Sequence, residues 1–372
     1  MSQEPWARAR NVLCVRLDTI GDVLMTGPAL RALKQSGDER RVTLLTSPAG
    51  GEVAALMPEV DETIVYEAPW MKASRSRADA RLDLEMVERL RDRRFEAAAI
   101  FAVHSQSPLP AALVCLLAEV PLRLAHCREN PYRLLTDWVP EREPGELLRH
   151  EVRRQLDLVA EVGARSDDVR LRIELPAEAE ERVEALLDEA GVEVGLAWLV
   201  AHPGSTAPSR RYPPEHFARA CRSLAHDHGV QVVFSGDAGE WALVEEVRAR
   251  MDAPSVSLAG RLDVAGLAAL LAAAPVLVAG NTGPVHLAAA VGTPVVDLYA
   301  LTNPQHTPWG VPSVVLFNDV PCRWCYKSVC PEGHHLCLRG VEPDAVVDAA
   351  LELLHDPEGG TAASPFGALE LG

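Results

Sequence analysis

The chain has 372 residues, enough for two domains of ordinary size, each with its own core. With 48% hydrophobic residues and only 5% aromatics it reads as globular with an Ala/Leu/Val interior, and a formal net charge of −17 excludes a general nucleic-acid binder, whose footprint would be basic. No charged segment followed by an apolar one opens the chain, so a cytoplasmic protein is expected.

In chain order, residues 12–17 read as a buried strand, and after Asp18-Thr19-Ile20-Gly21 a helix runs to about Gln35, which puts Asp22 at a helix N-terminus. Strands at 42–46, 63–66 and 97–103 alternate with helices at 51–57 and 79–93, the rhythm of a parallel, doubly wound sheet. Ligands gather in such sheets at the loops after the strands' carboxyl ends, here 18–22 and 104–107. A helix at 108–119 follows, and 123–144 reads as irregular surface structure with short helices. Charged helices at 151–162 and 177–190 bracket a domain boundary expected near 165–192. A second alternating set then follows: strand 196–201, the loop from His202 to Thr206, helix 214–226, strand 231–234, the loop 235–239, helix 240–251, a strand near Val256 and helix 264–273.

The uncharged run 264–284 is long enough to span a bilayer, but Pro275 and the polar Asn281-Thr282 pair make it a helix plus a buried strand. That strand, 276–279, leads through Gly280-Asn281-Thr282-Gly283 into an Ala-rich helix, 285–291, which Gly292-Thr293-Pro294 stops before the strand 295–298. A turn of small residues at a helix N-terminus offers free backbone N–H groups to a phosphate; an ordinary β–α connection is the plainer reading. His286 falls in the first helical turn, beside any such anion, or is a core histidine. The helix 343–354 precedes a Gly/Ala-rich tail with the composition of a disordered segment.

Neither GxGxxG after the first strand nor GxxxxGK[ST] occurs, so nicotinamide-cofactor and P-loop enzymes lose their main support, and there is no HExxH. The second half instead carries two small-residue loops at the ends of parallel strands, 202–206 and 280–283, with Arg210 and Arg211 after the first. Hydroxyls, backbone N–H groups, a helix dipole and a guanidinium together suit a diphosphate, although the arginines alone read equally as solvated surface charges.

Three blocks, VRLDTIGDVLMTGPALRAL, HPGSTAPSRRYPPEHF and GNTGPVHLAAAVGTPVVDLYALTNPQHTPW, together resemble glycosyltransferase family 9, the heptosyltransferases of lipopolysaccharide inner-core assembly. The resemblance spans about residues 11–350 and implies an α/β fold of GT-B architecture: two Rossmann-like, doubly wound parallel-sheet domains facing a cleft. On this basis 1–175 is the acceptor domain, 176–342 the nucleotide-sugar donor domain, and 343–372 a C-terminal helix and flexible tail. The resemblance implies inverting transfer of a heptose from ADP-heptose to an anionic glycolipid acceptor, with no cofactor required. A different nucleotide sugar or glycan acceptor, and a non-catalytic nucleotide-sugar-binding protein, are the alternatives. Carried over by position, Asp22 is the general base. Ser205, Thr206 and Arg210 meet the donor phosphates, Glu240 holds ribose hydroxyls, Leu258, Ala259 and Gly260 lie against adenine, and Asn281, Thr282, Gly283 and His286 line the diphosphate. Many members carry Lys in place of Arg210 and Asp in place of Asn281, two departures that bear on donor preference.

Lys72, Arg75 and Arg77 follow the third strand, in a neighbourhood that in this family meets the anionic acceptor; a solvated loop is the simpler reading, and contact with anionic lipid headgroups at the inner-membrane face is a third. Of eight cysteines, Cys322, Cys325, Cys330 and Cys337 cluster with His334 and His335 between them. Reduced thiols or a local disulfide are expected there, with structural zinc as the competing reading and no catalytic role.

Overall fold

The computed structural model describes residues 3–72, 74 and 78–360, and these form two compact units divided between Arg172 and Ile173. The first contains α1 (Gln3–Arg8), β1 (Asn11–Arg16), α2 (Ile20–Gln35), β2 (Arg41–Thr46), α3 (Pro48–Ala54), β3 (Glu62–Val65), α4 (Arg81–Asp92), β4 (Ala97–Ile100), α5 (Leu109–Leu117), β5 (Leu122–Cys127), β6 (Asp137–Pro140) and α6 (Glu151–Ala160). Its six strands pair in parallel in the order β3-β2-β1-β4-β5-β6.

The second unit contains α7 (Ala177–Glu189), β7 (Trp198–His202), α8 (Pro214–His226), β8 (Gln231–Phe234), α9 (Trp241–Met251), β9 (Val256–Ser257), α10 (Val264–Ala273), β10 (Leu277–Gly280), α11 (Gly283–Val291), β11 (Val295–Leu298), β12 (Ser313–Leu316), α12 (Leu336–Arg339) and α13 (Pro343–His355). Its parallel sheet runs β12-β11-β10-β7-β8-β9. Counted from each unit's own first strand, the two sheets therefore have the same doubly wound order. In each, the chain reverses its direction of travel at the first and fourth strands, which opens a crevice at their carboxyl ends.

The central strands are mostly apolar because helices cover both faces, with polar residues such as Arg16 and His202 at their carboxyl ends, and each fully buried Val or Leu contributes about 1.5–3 kcal/mol. On one face of the second sheet Leu199, Val232, Val278, Val296 and Leu298 pack with Phe217 and Leu224 of α8 and Val346, Val347 and Leu353 of α13. The C-terminal helix is thus part of the second unit's core, while the tail beyond residue 360 lies outside the described residues.

One region differs from the expectation. Residues 123–144 supply two strands, β5 and β6, that extend the first sheet. Arg123 and His126 interrupt the apolar pattern and suggest surface. Arg123 is nevertheless buried, its guanidinium donating to the carbonyls of Val120, Arg133 and Leu134, so a charged residue here serves as an internal brace. The short strand β12 and the helix α1 also add to the elements expected from the sequence, the first because Ser313-Val314-Val315-Leu316 is too brief to show a period.

Candidate active site

At the switch point of the first sheet, the loop after β1 carries Asp18 and the first turn of α2 carries Asp22. Asp22 is the third residue of its helix, where a carboxylate accepts from the N-cap backbone. Its Oδ2 takes bonds from the Thr19 N–H at 3.1 Å and the Thr19 hydroxyl at 2.7 Å. Its Oδ1 lies 3.0 Å from Nη2 of Arg16, the last residue of β1 and wholly buried. The same guanidinium reaches Glu151 Oε1 of α6 at 2.9 Å and has Nε 3.0 Å from Asp18 Oδ2, off the line of its N–H. Three carboxylates thus surround one arginine.

Across the crevice, Gln106 in the loop after β4 donates Nε2 to Asp18 Oδ1 at 2.8 Å. Gln106 also lines a cavity of about 240 Å³ with His104, Ser105, Ser107, His126, Arg128, Glu129 and Glu141. Burial pushes the Asp18 carboxyl up to about 6; Asp22 and Glu151 push the same way, while Arg16 and Gln106 oppose. Lys72 is exposed, and Arg75 and Arg77 lie outside the described residues.

The second sheet repeats the arrangement with different chemistry. After β7, the loop 203–206 passes Ser205, buried with its hydroxyl accepting from the Ala207 N–H at 3.3 Å, and the exposed Thr206, into a short helical turn, Pro208–Arg210. After β10, Asn281 is buried, Thr282 stands at the N-cap position of α11 without a side-chain cap bond, and Thr282 and Gly283 are half-exposed. Arg210 Nη1 reaches the Asn281 carbonyl at 3.5 Å, so the two loops meet at the switch point. Their approach depends on Gly280: a Cβ there would lie 2.6 Å from the Arg210 carbonyl oxygen, closer than any real contact. Gly280→Ala is therefore expected to push the 208–210 turn away and destabilise the protein by about 1–3 kcal/mol. A thermal melt together with calorimetry against ADP checks this; unchanged stability and affinity would mean the turn yields freely.

Glu240, at the N-cap of α9, accepts from the Asp237 N–H at 3.1 Å and lies 3.5 Å from His202 Nε2, with its carboxylate against Gly204. Burial lowers the His202 imidazole below its ordinary range against the pull of Glu240, and its Nδ1 meets the Ser235 hydroxyl at 3.0 Å. The turn 258–260 abuts the loop 236–238, the Gly260 N–H bonding the Gly236 carbonyl. Leu258 is wholly buried and Ala259 nearly so, which leaves Gly260 as the exposed residue of this turn. His286 is buried in α11 with its ring edge-on to His306, centroids 6.5 Å apart.

Two features of this site escape sequence reasoning. Asp297, in the middle of β11, is fully buried with neither carboxylate oxygen hydrogen-bonded, and burial raises it well above the carboxylate range although Arg210 draws it down. Its only signal is a lone acid in an apolar strand. The second is the cysteine-rich segment, which lies on the turn that carries Arg210. The Ser209 N–H donates to the Ser328 carbonyl at 3.0 Å, its hydroxyl to the Lys327 carbonyl at 2.8 Å, and His335 Nε2 donates to the Ser209 carbonyl at 2.6 Å. All eight cysteines are free thiols, Cys322 Sγ lying 3.7 Å from His334 Nε2. Among the described residues no three His, Cys, Asp or Glu side chains are grouped to hold a metal, so zinc at Cys322, Cys325, Cys330 and Cys337 is unsupported.

Two Rossmann-type units, each a doubly wound parallel sheet of six strands, have the architecture of the GT-B class of glycosyltransferases. The family model described as glycosyltransferase family 9 (heptosyltransferase) matches residues 84–336. The chain belongs to that family. It is 24% identical over 362 residues to lipopolysaccharide heptosyltransferase 2 of Escherichia coli K12, covering 93% of this chain and 99% of the relative. Among solved structures it resembles the family 9 glycosyl transferase of Veillonella parvula with a TM-score of 0.78 at 20% identity, over 94% of this chain and 98% of that one. The E. coli heptosyltransferase WaaC with ADP-2-deoxy-2-fluoro heptose matches with a TM-score of 0.61 at 18% identity, over 92% of this chain and 99% of the other.

Proposed function

We propose that the protein transfers a heptose from ADP-heptose to a lipopolysaccharide inner-core acceptor, with inversion at the anomeric carbon. Membership of a heptosyltransferase family is the observation that carries this reading. The lipopolysaccharide heptosyltransferase named above, and the ADP-heptose analogue bound to a protein of the same fold, support acceptor and donor respectively. The second unit binds the donor, with Ser205, Thr206, Arg210, Asn281, Thr282, Gly283 and His286 around the diphosphate, Glu240 on the ribose and the 258–260 turn beside the base.

The first unit binds the acceptor, and Asp22 takes the proton of the attacking hydroxyl. As the acceptor oxygen bonds to the anomeric carbon, the bond from that carbon to the phosphate oxygen breaks and ADP leaves with the electron pair. Arg210 and the N-terminus of α11 stabilise the negative charge that develops there. The charge distribution supports this division: residues 1–172 hold 25 Lys and Arg against 27 Asp and Glu, whereas residues 173–372 hold 11 against 26. The half assigned to an anionic acceptor is nearly neutral. Lys72, with Arg75 and Arg77, supplies positive charge to it.

No described helix is long and apolar enough to cross a membrane. We assign the enzyme to the cytoplasmic side, meeting its glycolipid acceptor at the inner-membrane surface. Mass spectrometry of products from ADP-heptose and a panel of truncated core acceptors tests the reaction. An acceptor enlarged by one heptose, with ADP released, is expected. Retention of ADP-heptose without ADP release would favour a binding protein.

A further inference from the structure

Asp22 does not stand alone. Arg16 brings one positive charge to three carboxylates, those of Asp18, Asp22 and Glu151, in a largely buried place. Like charges so placed titrate as a set and favour retention of a proton on one member. The three differ in what holds them. Glu151 is fully buried, its Oε1 accepting from both Arg16 and Gln155 and lying 3.6 Å from Nη1 of a second arginine, Arg154, so it depends least on Arg16. Asp22 accepts directed bonds from the Thr19 N–H, the Thr19 hydroxyl and Arg16. Asp18 accepts one directed bond, from Gln106, and the Arg16 N–H nearest to it points elsewhere. Its side chain keeps 8% of its surface exposed, and Gln106 links it to the cavity after β4.

We propose that Asp18 is a positioning residue for the transfer reaction, which sets the basicity of Asp22 through the guanidinium they share. With Asp18 neutral, Arg16 is left to Asp22 and Glu151 and holds Asp22 as a weak base. With Asp18 ionised, the same positive charge is divided among three carboxylates and a second negative charge stands near Asp22, so Asp22 accepts a proton more readily. Turnover then rises as Asp18 loses its proton. The groups facing Asp18 are Arg16 from β1, Asp22 from α2, Glu151 from α6 and the Gln106 amide from the loop after β4, with the Ser47 hydroxyl at the N-cap of α3 on its backbone carbonyl. The titration falls in the working range: burial lifts the Asp18 carboxyl to about 6.

The inference rests on the proposed transfer reaction with Asp22 as base, and two variants with two readouts separate its failure from failure of that reading. Asp18→Asn keeps an acceptor for Gln106 and leaves Arg16 its other two carboxylates, so it should fold. We expect a fall in kcat of roughly 3- to 10-fold near neutral pH with unchanged ADP affinity, and an acid limb that no longer lies near 6. Gln106→Leu removes a donor that favours the ionised form of Asp18, so its acid limb should move to higher pH. An unchanged limb in both variants would overturn the proposal. Carboxyl-carbon NMR titration needs no substrate: the Asp22 midpoint should fall in Asp18→Asn. An Asp22 midpoint indifferent to Asp18 refutes the coupling even if no transfer is seen, whereas absent transfer with intact coupling counts against the reaction alone.

Discussion

Replacing Asp22 by Asn is expected to lower turnover by about 10²-fold or more at saturating donor and acceptor, the contribution of a positioned base. The amide can still accept from Thr19, so the first turn of α2 keeps half of its cap. It cannot take a proton from the acceptor hydroxyl, and its NH₂ competes with Arg16 if it turns inward. ADP affinity should be unchanged, because Arg210 and Asn281, which we propose meet the diphosphate, belong to the other unit. Steady-state kinetics and calorimetry separate the two effects. Wild-type turnover in a folded variant would place the base elsewhere, and Asp18 would be the first alternative.

Arg210→Ala should weaken ADP binding by about 1.5–3 kcal/mol, roughly 10- to 150-fold, and slow transfer as well. The guanidinium is half-buried, and its bond to the Asn281 carbonyl is long. Among the described residues no carboxylate lies within ion-pair distance of it, and burial raises the carboxyl of the nearby Asp297 well above the carboxylate range. Its charge is therefore available to a diphosphate. Arg210→Lys should recover part of the loss, since it restores the charge but not the two-pronged geometry. Unchanged ADP affinity and unchanged turnover in Arg210→Ala would remove Arg210 from the donor site.

The two-unit α/β plan was legible because it is local. Strands such as Ala97–Ile100 and Leu277–Gly280 are short apolar runs, helices such as Pro214–His226 have their own period and start signals, and small-residue loops such as 280–283 mark the joints. Asp22 could be put at a helix start, and Arg210 after a small-residue loop at a strand end, from neighbours within a few positions. The family resemblance supplied roles that no spacing contains.

What the sequence by itself determined is therefore the alternation of strand and helix, the small-residue loops at strand ends and the residue types available there. The tertiary structure alone decided the pairing of β1 with β4 and of β7 with β10, which turns two sets of loops into crevices. It alone set Glu151 on the Arg16 guanidinium from 135 positions away, and laid His335 on the turn that carries Arg210. It also made strands of 122–127 and 137–140 and hid Asp297 in the second sheet. The reason is the same in each case. A charged or polar residue reads as surface until its partner is known, and in these cases the partner, or the burial that stands in for one, comes from a distant part of the chain. Periodicity and capping report only on neighbours within a turn or two, whereas the energy of a buried charge depends on everything packed around it.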